Sequence, residues 1–352
     1  APQARGYYLG QTAFISSHCP GNDLGRRTTF LLAMSDKDAG GSGDRSQFKA
    51  CMERYFFGSS GMAARQHDGI SKFMLGQLAA EYTRDRSRFF NKQGPLEMFV
   101  IRYLTYVLFG MELQGEDLEV MKRWLCGNAG IVHYMWPFGY MYNKRSLIDQ
   151  VAAIYERAPA LQMFEDGVEA HAKMTKQELA RAMTAVIRIA GKTASFQLLE
   201  TILGDKAMPN YEGEATGSID VAEAWDRLDL DNRDEVKRFT LEVARLYPPV
   251  NVVHRVASEP FTCDFGGRAV SFPEGTLVMV PIVYGNLDKG FWGDTAYDLD
   301  HNRARLTEGF MGFNSVGDRE AGRICPGREL VLEMCADVLA IVGRQRRAGA
   351  SA

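Results

Sequence analysis

The sequence predicts a mainly α-helical protein with a small β region, and three observations carry that reading. Apolar residues recur at three- and four-residue intervals through residues 47–110 and in three later segments that end by residue 246, as helices burying one face require. Short β-like runs are confined to residues 250–283, directly after Pro248-Pro249. The chain then passes from a glycine- and arginine-rich loop into one more helical pattern.

In order, residues 39–45 (AGGSGDR) read as a flexible polar loop. Phe48, Met52, Tyr55 and Phe56 mark one apolar helical face, and Phe73, Leu75, Leu78 and Ala79 mark another. The most apolar stretch, Met98 to Leu113, is interrupted by Arg102 and is too short to cross a bilayer without burying that charge, so it reads as a core helix. Residues 149–158 and 176–203 are further helices, the second rich in Ala, Met, Ile and Leu, with a middle expected to be buried. Residues 205–220 turn polar around Pro209, Gly213 and Gly217 and form a surface connection to a charged helix at 232–246. Strands are expected at 250–256, 261–265, 269–272 and 276–283, and a last helix at 326–342. The sequence contains no internal repeat.

With 352 residues, 46% hydrophobic and 24% charged, the chain is long enough to bury a large core. A net charge of −3 gives no reason to expect nucleic acid or an anionic membrane as partner. Cys19, Cys51, Cys126, Cys263, Cys325 and Cys335 form no CxxC pair or regular framework, which favours reduced thiols in an intracellular, cytoplasmic protein. The start, APQARGYYLG, lacks a signal-peptide pattern, although an anchor removed upstream would leave no trace. The six histidines are scattered without metal-ligand spacing.

The chemistry concentrates at residues 310–330, FMGFNSVGDREAGRICPGREL, where Cys325 stands directly before a helical pattern. A sulfur there faces the positive end of a helix and nearby guanidinium groups, and both favour the thiolate that binds iron. Taken alone, Cys325 is as easily a small buried residue. Eighty-three residues earlier stand Glu242 and Arg245, three apart on one helical face and able to pair, followed by Leu-Tyr-Pro-Pro-Val and then Arg255.

Together, ExxR, YPPV, a small β region and Gly-Arg-Ile-Cys-Pro-Gly before a helix resemble the cytochrome P-450 superfamily in order and approximate spacing. The resemblance covers most of the chain from about residue 30 and is specific in its last third. It implies a single haem domain over residues 1–352, shortened at both ends, with haem b (iron protoporphyrin IX) bound through Cys325. By the same resemblance, Glu242 and Arg245 lock the core beneath the haem and Arg303 or His301 completes their network. Arg255, Arg319 and Arg323 would reach the propionates, Phe313 would belong to the haem loop, and Lys49 would offer a basic group from an early helix.

Two departures shape the functional reading. Ordinary members carry Ala-Gly-x-Asp/Glu-Thr in the distal helix; aligned on Ala190-Gly191, the acid position holds Thr193 and the next Ala194, so that only Thr193 or Ser195 is left to hold a water. The aromatic usually seven residues before the cysteine is Asp318, and Phe313 stands twelve before, a lengthening that resembles the bacterial peroxygenase branch acting on fatty acids with hydrogen peroxide. That branch holds the substrate carboxylate with a distal arginine. Alignment of VIRIAGKTASF on its distal helix puts Arg188 there, with Lys192 one turn on as the alternative cation. A buried guanidinium needs an anionic partner, which a carboxylate supplies; the bland alternative is a surface arginine on an amphipathic helix.

The expected function is therefore peroxide-driven oxidation, or hydroperoxide rearrangement, of a fatty-acid-like carboxylate. The alternatives are an oxygen-dependent monooxygenase of a small metabolite served by a redox partner protein, and a haem-binding protein that no longer turns over substrate.

Overall fold

The computed structural model describes residues 4–6, 44–126, 137–165, 175–204, 208–209, 218–219, 221–257, 259–314 and 324–350. Its first helices are α1 (Asp44–Tyr55), α2 (Ser60–Gln66), α3 (Gly69–Arg84), α4 (Arg86–Phe89) and α5 (Pro95–Phe109). There follow α6 (Gly115–Leu125), α7 (Pro137–Glu156), α8 (Lys176–Val186), α9 (Ala194–Leu203), α10 (Val221–Asp226) and α11 (Arg233–Leu246). After the β region come α12 (Ile282–Asn286), α13 (Lys289–Trp292), α14 (Leu306–Gly309) and α15 (Arg328–Ala350). The strands are β1 (Ala4–Gly6), β2 (Met208–Pro209), β3 (Ser218–Ile219), β4 (Val252–Ala257), β5 (Phe261–Phe265), β6 (Arg268–Phe272) and β7 (Leu277–Pro281). The chain divides into two compact units: Ala1–Ser59, Phe109–Ile189 and Val252–Val280 make one, and Ser60–Leu108, Ala190–Asn251 and Pro281–Ala352 the other.

In the first unit, α7 packs against α6 and α8. Phe109 stacks on Tyr155 with ring centroids 4.0 Å apart and meets Phe56 at 4.8 Å. The N-terminus of α8 is fixed by a capping box: the Thr175 hydroxyl accepts from the Glu178 amide while the Glu178 carboxylate accepts from the Thr175 amide. β1, β4 and β7 form a three-stranded sheet in the order β1-β4-β7. β5 and β6 form a hairpin whose two-residue turn, Gly266-Gly267, has φ of 62° and 85°; this left-handed pair suits glycine and matches the strand twist.

In the second unit, α15 packs on α3 and α11, and α9 on α10 and α11. Leu330, Met334, Val338, Leu339 and Val342 of α15 are buried, as are Val236, Phe239 and Val243 of α11. Each such side chain contributes about 1.5–3 kcal/mol of transfer free energy, so this helix pair is a principal part of the unit's core. Arg233 and Lys237 of α11 both bind Glu333 of α15, and Arg233 also reaches Asp337 at 2.7 Å.

The structure corrects the sequence reading in several places. The first described helix begins at Asp44, inside the segment expected to be loop, and the last helix runs on to Ala350. Residues 137–148 extend the helix expected to start at 149. Phe73 is 63% exposed, although Leu75, Leu78 and Ala79 beside it are buried as expected; Phe73 falls off the face that α3 turns toward α15. The segment after β7 coils into α12, so the strand expected at 276–283 spans only Leu277–Pro281. The helix expected over 176–203 is interrupted at Ile187–Thr193 by a π-helical turn, which widens the backbone by one residue per turn.

Candidate functional site

Cys325 lies just ahead of α15; the residue as a whole is half-buried, and its thiol is turned away from water. Its backbone N–H donates to the Phe313 carbonyl at 2.8 Å, which ties the end of the glycine- and arginine-rich loop back to its beginning. Phe313 is itself in the left-handed region, φ 52°, a costly conformation for an aromatic residue and one that turns the chain sharply at this point. The Gly327 and Arg328 amides lie near the Cys325 sulfur and favour its ionised form, and the Arg328 N–H donates to the Cys325 carbonyl at 3.2 Å. Burial nevertheless outweighs them and holds the thiol above its ordinary range. The amides expected from the helix end are in place, and burial opposes them. Arg319 and Arg323 lie outside the described residues.

Beneath this loop, Glu242 and Arg245 of α11 are fully buried and paired, with Nε to Oε2 and Nη2 to Oε1 both at 2.8 Å. Arg245 also donates to the carbonyls of Asn286 at 2.6 Å, Ala296 at 2.7 Å and Asp298 at 3.2 Å. All five guanidinium N–H groups are therefore used, which is what a charge taken out of water requires. Glu242 further accepts from the Asp300 amide at 3.1 Å and from Arg303 Nε at 3.2 Å. Arg303, rather than His301, completes the network; its other nitrogens reach Thr295 and the Asp298 carbonyl. His301 faces Glu235 instead.

Asn286 links this network to the cysteine loop. Its backbone carbonyl accepts from Arg245, and its side-chain oxygen accepts the Met311 N–H at 2.9 Å. A Cβ at position 285 would stand 2.0 Å from the Met311 sulfur, so a larger residue there would make that flexible side chain move aside. Hydrogen bonds and one short stretch of chain, Met311–Phe313, thus run without a gap from Glu242 through Arg245, Asn286, Met311 and Phe313 to Cys325.

The remaining sequence candidates have separate settings. Thr193 is exposed, whereas Ser195 is fully buried on α9, its hydroxyl without a hydrogen-bond partner among the described residues. Arg188, in the π turn, is not on the surface: it is 4% exposed, and its guanidinium lies 4.4 Å from the centroid of the Trp124 ring. Lys192, the alternative cation, is already buried against Glu97 of α5, whose carboxylate also accepts the Gln93 amide at 2.6 Å. Lys49 is paired with Glu53 at 3.5 Å. Arg255 sits on β4 opposite Gly6; its side chain lies outside what is described.

Sequence reasoning missed Glu97 and Trp124, while Asn286 falls in the Tyr284–Asp288 run that resembles the family's segment between the ExxR helix and the cysteine but gave no sign of its link to Met311. Glu97 lies 95 residues from its partner, so no local pattern could have exposed it.

Among the described residues no group of three or more His, Cys, Asp or Glu side chains is arranged to hold a metal ion. One sulfur with two amide donors is by contrast the right donor set for a metal that brings its other ligands with it, as haem iron does. The fit to haem therefore rests on Cys325 alone as protein ligand.

Comparison with known proteins gives the same direction. No family model matches the chain. Cytochrome P450 734A5 of Oryza sativa subsp. japonica is 32% identical over 171 residues, covering 44% of this chain and 30% of that protein. Cytochrome P450 72A397 of Kalopanax septemlobus is 27% identical over 159 residues, 43% of this chain and 29% of the relative. The match thus spans about 30% of the length of these curated relatives. Among solved structures, the LnmZ cytochrome P450 hydroxylase of Streptomyces atroolivaceus superposes with a TM-score of 0.63 at 16% identity, covering 91% of this chain and 79% of that one. P450BioI, in complex with an acyl carrier protein carrying hexadec-9Z-enoic acid, superposes with a TM-score of 0.59 at 14% identity, covering 94% and 78%.

Proposed function

We propose that this chain, which is similar in part of its sequence and in its fold to cytochrome P450s, is a haem-thiolate oxidoreductase with Cys325 as the axial iron ligand. The observation that carries the proposal is the position of Cys325, with the Gly327 and Arg328 amides near its sulfur and with hydrogen bonds and the short Met311–Phe313 stretch joining it to the buried Glu242–Arg245 pair. Haem b bound there would supply a thiolate-ligated iron able to activate peroxide or dioxygen. The chain's own residues then have defined tasks. The Gly327 and Arg328 amides near the sulfur would favour its negatively charged, metal-binding form. The Phe313 carbonyl holds the Cys325 backbone in place, and Glu242, Arg245 and Arg303 keep the loop from shifting. The proposal takes residues 1–352 as one haem domain and keeps propionate contacts for Lys49, Arg255, Arg319 and Arg323.

For the reaction, the reading with most support is peroxide-driven oxidation of a fatty-acid-like carboxylate. The distal helix carries Thr193 and Ala194 where a proton-delivering acid and alcohol would stand, and a reaction that starts from peroxide dispenses with that delivery. Arg188, held out of water against Trp124, is the group proposed to receive the carboxylate. A monooxygenase served by a redox partner protein is the second reading, favoured by the buried, unbonded hydroxyl of Ser195 close to the π turn, where a water-held proton path could begin.

The first test is the absorbance of the dithionite-reduced protein under carbon monoxide. A red-shifted Soret band lost in Cys325→Ser is the expected result; absence of haem or an unshifted band removes the assignment. Turnover with peroxide and a fatty acid but no reductase, abolished in Arg188→Ala, is expected next. Unchanged kinetics in Arg188→Ala would remove that residue's role, and strict dependence on a reductase would select the second reading.

A further inference from the structure

A cleft of about 400 Å³ lies between α3 and α5 and is closed at one end by the turn after α4. That volume is in the range of small-ligand pockets. Its wall combines three guanidinium groups, Arg84, Arg88 and Arg102, with an apolar floor of Met74, Leu78, Met98 and Phe99. The one carboxylate among the lining residues, Glu81, is taken up by Arg84 at 2.5 Å. Among the described residues no hydrogen bond or ion pair engages the guanidinium of Arg88 or of Arg102, and the Arg102 Nε is buried without a hydrogen-bond partner.

A buried, unbonded guanidinium nitrogen is costly unless an acceptor enters, and the exposed Arg88 adds a second positive charge at the same cleft. The end of the cleft is also rigid. Gln93 holds a left-handed φ of 58° with its N–H on the Glu97 carboxylate, and a Cβ at Gly94 would stand 2.5 Å from the Arg88 carbonyl and 2.7 Å from that of Asn91. Strain of this kind at a non-glycine residue persists where the surroundings over-determine it, and it gathers at ligand sites.

We propose that this cleft binds a small amphiphilic anion: a phosphate or carboxylate head on Arg88 and Arg102, and a short alkyl or aryl body on Met74, Leu78, Met98 and Phe99. The occupant is a soluble molecule rather than a bilayer, because Met74, Leu78 and Phe99 are only 4%, 2% and 6% exposed and are recessed rather than raised for insertion. The site shares no residue with the proposed haem site, so neither reading depends on the other.

The test is calorimetric titration of octyl phosphate, below its micellar concentration, into the full chain loaded with haem and saturated with imidazole on the iron. The Soret band is followed in parallel, so that entry near the iron registers there and not as cleft binding. Saturable binding near one per chain is expected, weakened at least about tenfold in Arg102→Met and in Arg88→Ser and unchanged in Arg157→Met, a control far along the chain. Arg88 is exposed, so its replacement tests the cleft even if Arg102→Met fails to fold. The proposal is overturned by no saturable binding, by equal affinity for octyltrimethylammonium, by indifference to both substitutions, or by arginine-dependent sedimentation with phosphatidic acid vesicles in place of binding to the monomer.

Discussion

Replacing Glu242 by Gln removes the carboxylate on which two buried arginines converge. Oε2 accepts from Arg245 Nε, and Oε1 accepts from Arg245 Nη2, the Asp300 amide and Arg303 Nε. Whichever way the amide turns, its NH2 faces at least one of these donors. Arg245 is fully buried and Arg303 is 6% exposed, so water cannot take the place of the lost charge. Breaking a buried pair in this way costs about 3–5 kcal/mol, a large part of the roughly 5–15 kcal/mol that folded domains possess. With a urea slope of about 3 kcal/mol/M, the midpoint should fall by at least about 1 M. Tryptophan fluorescence is a direct readout, because Arg245 lies 5.0 Å over the Trp292 ring and disorder of the network changes that ring's surroundings. A midpoint within about 0.3 M of the parent would refute the argument, since it would mean the two guanidinium groups find equivalent partners without Glu242.

Lys192→Met should likewise cost about 3–5 kcal/mol by removing the buried cation paired with Glu97, and combining it with Glu97→Leu should recover most of the loss. Additive losses in that double-mutant cycle would show that the two side chains do not act as a pair. For Glu333, burial raises the carboxyl pKa, but hydrogen bonds from Lys237 and Arg233 and their charges prevail and hold it below its ordinary 4.5. A depressed carboxylate contributes stability above its unfolded pKa and loses it as the pH falls through the folded value. Glu333→Gln should therefore be less stable than the parent at pH 7, with the difference closing as the pH is lowered beneath about 4.5 in urea melts; a gap that does not narrow would count against the clamp between α11 and α15.

By itself the sequence determined the helical class, the place of the β region, and the two motifs around Glu242 and Cys325, because these depend on short-range periodicity and on residues close together in the chain. The pairing of Glu242 with Arg245 was legible for the same reason: three residues apart on a helix they share a face. Tertiary structure decided what depends on distant segments. Arg303 rather than His301 completes the network because the chain after α13 brings its guanidinium, not the imidazole, onto Glu242. Lys192 is neutralised by a carboxylate on α5, and Arg188 is shielded by a tryptophan on α6; no sequence window contains either pair. The Cys325 thiol is the clearest division. A helix start beside it could be read from the sequence and argued for an easily ionised sulfur, but burial is a property of the packed chain, and here it outweighs the amides.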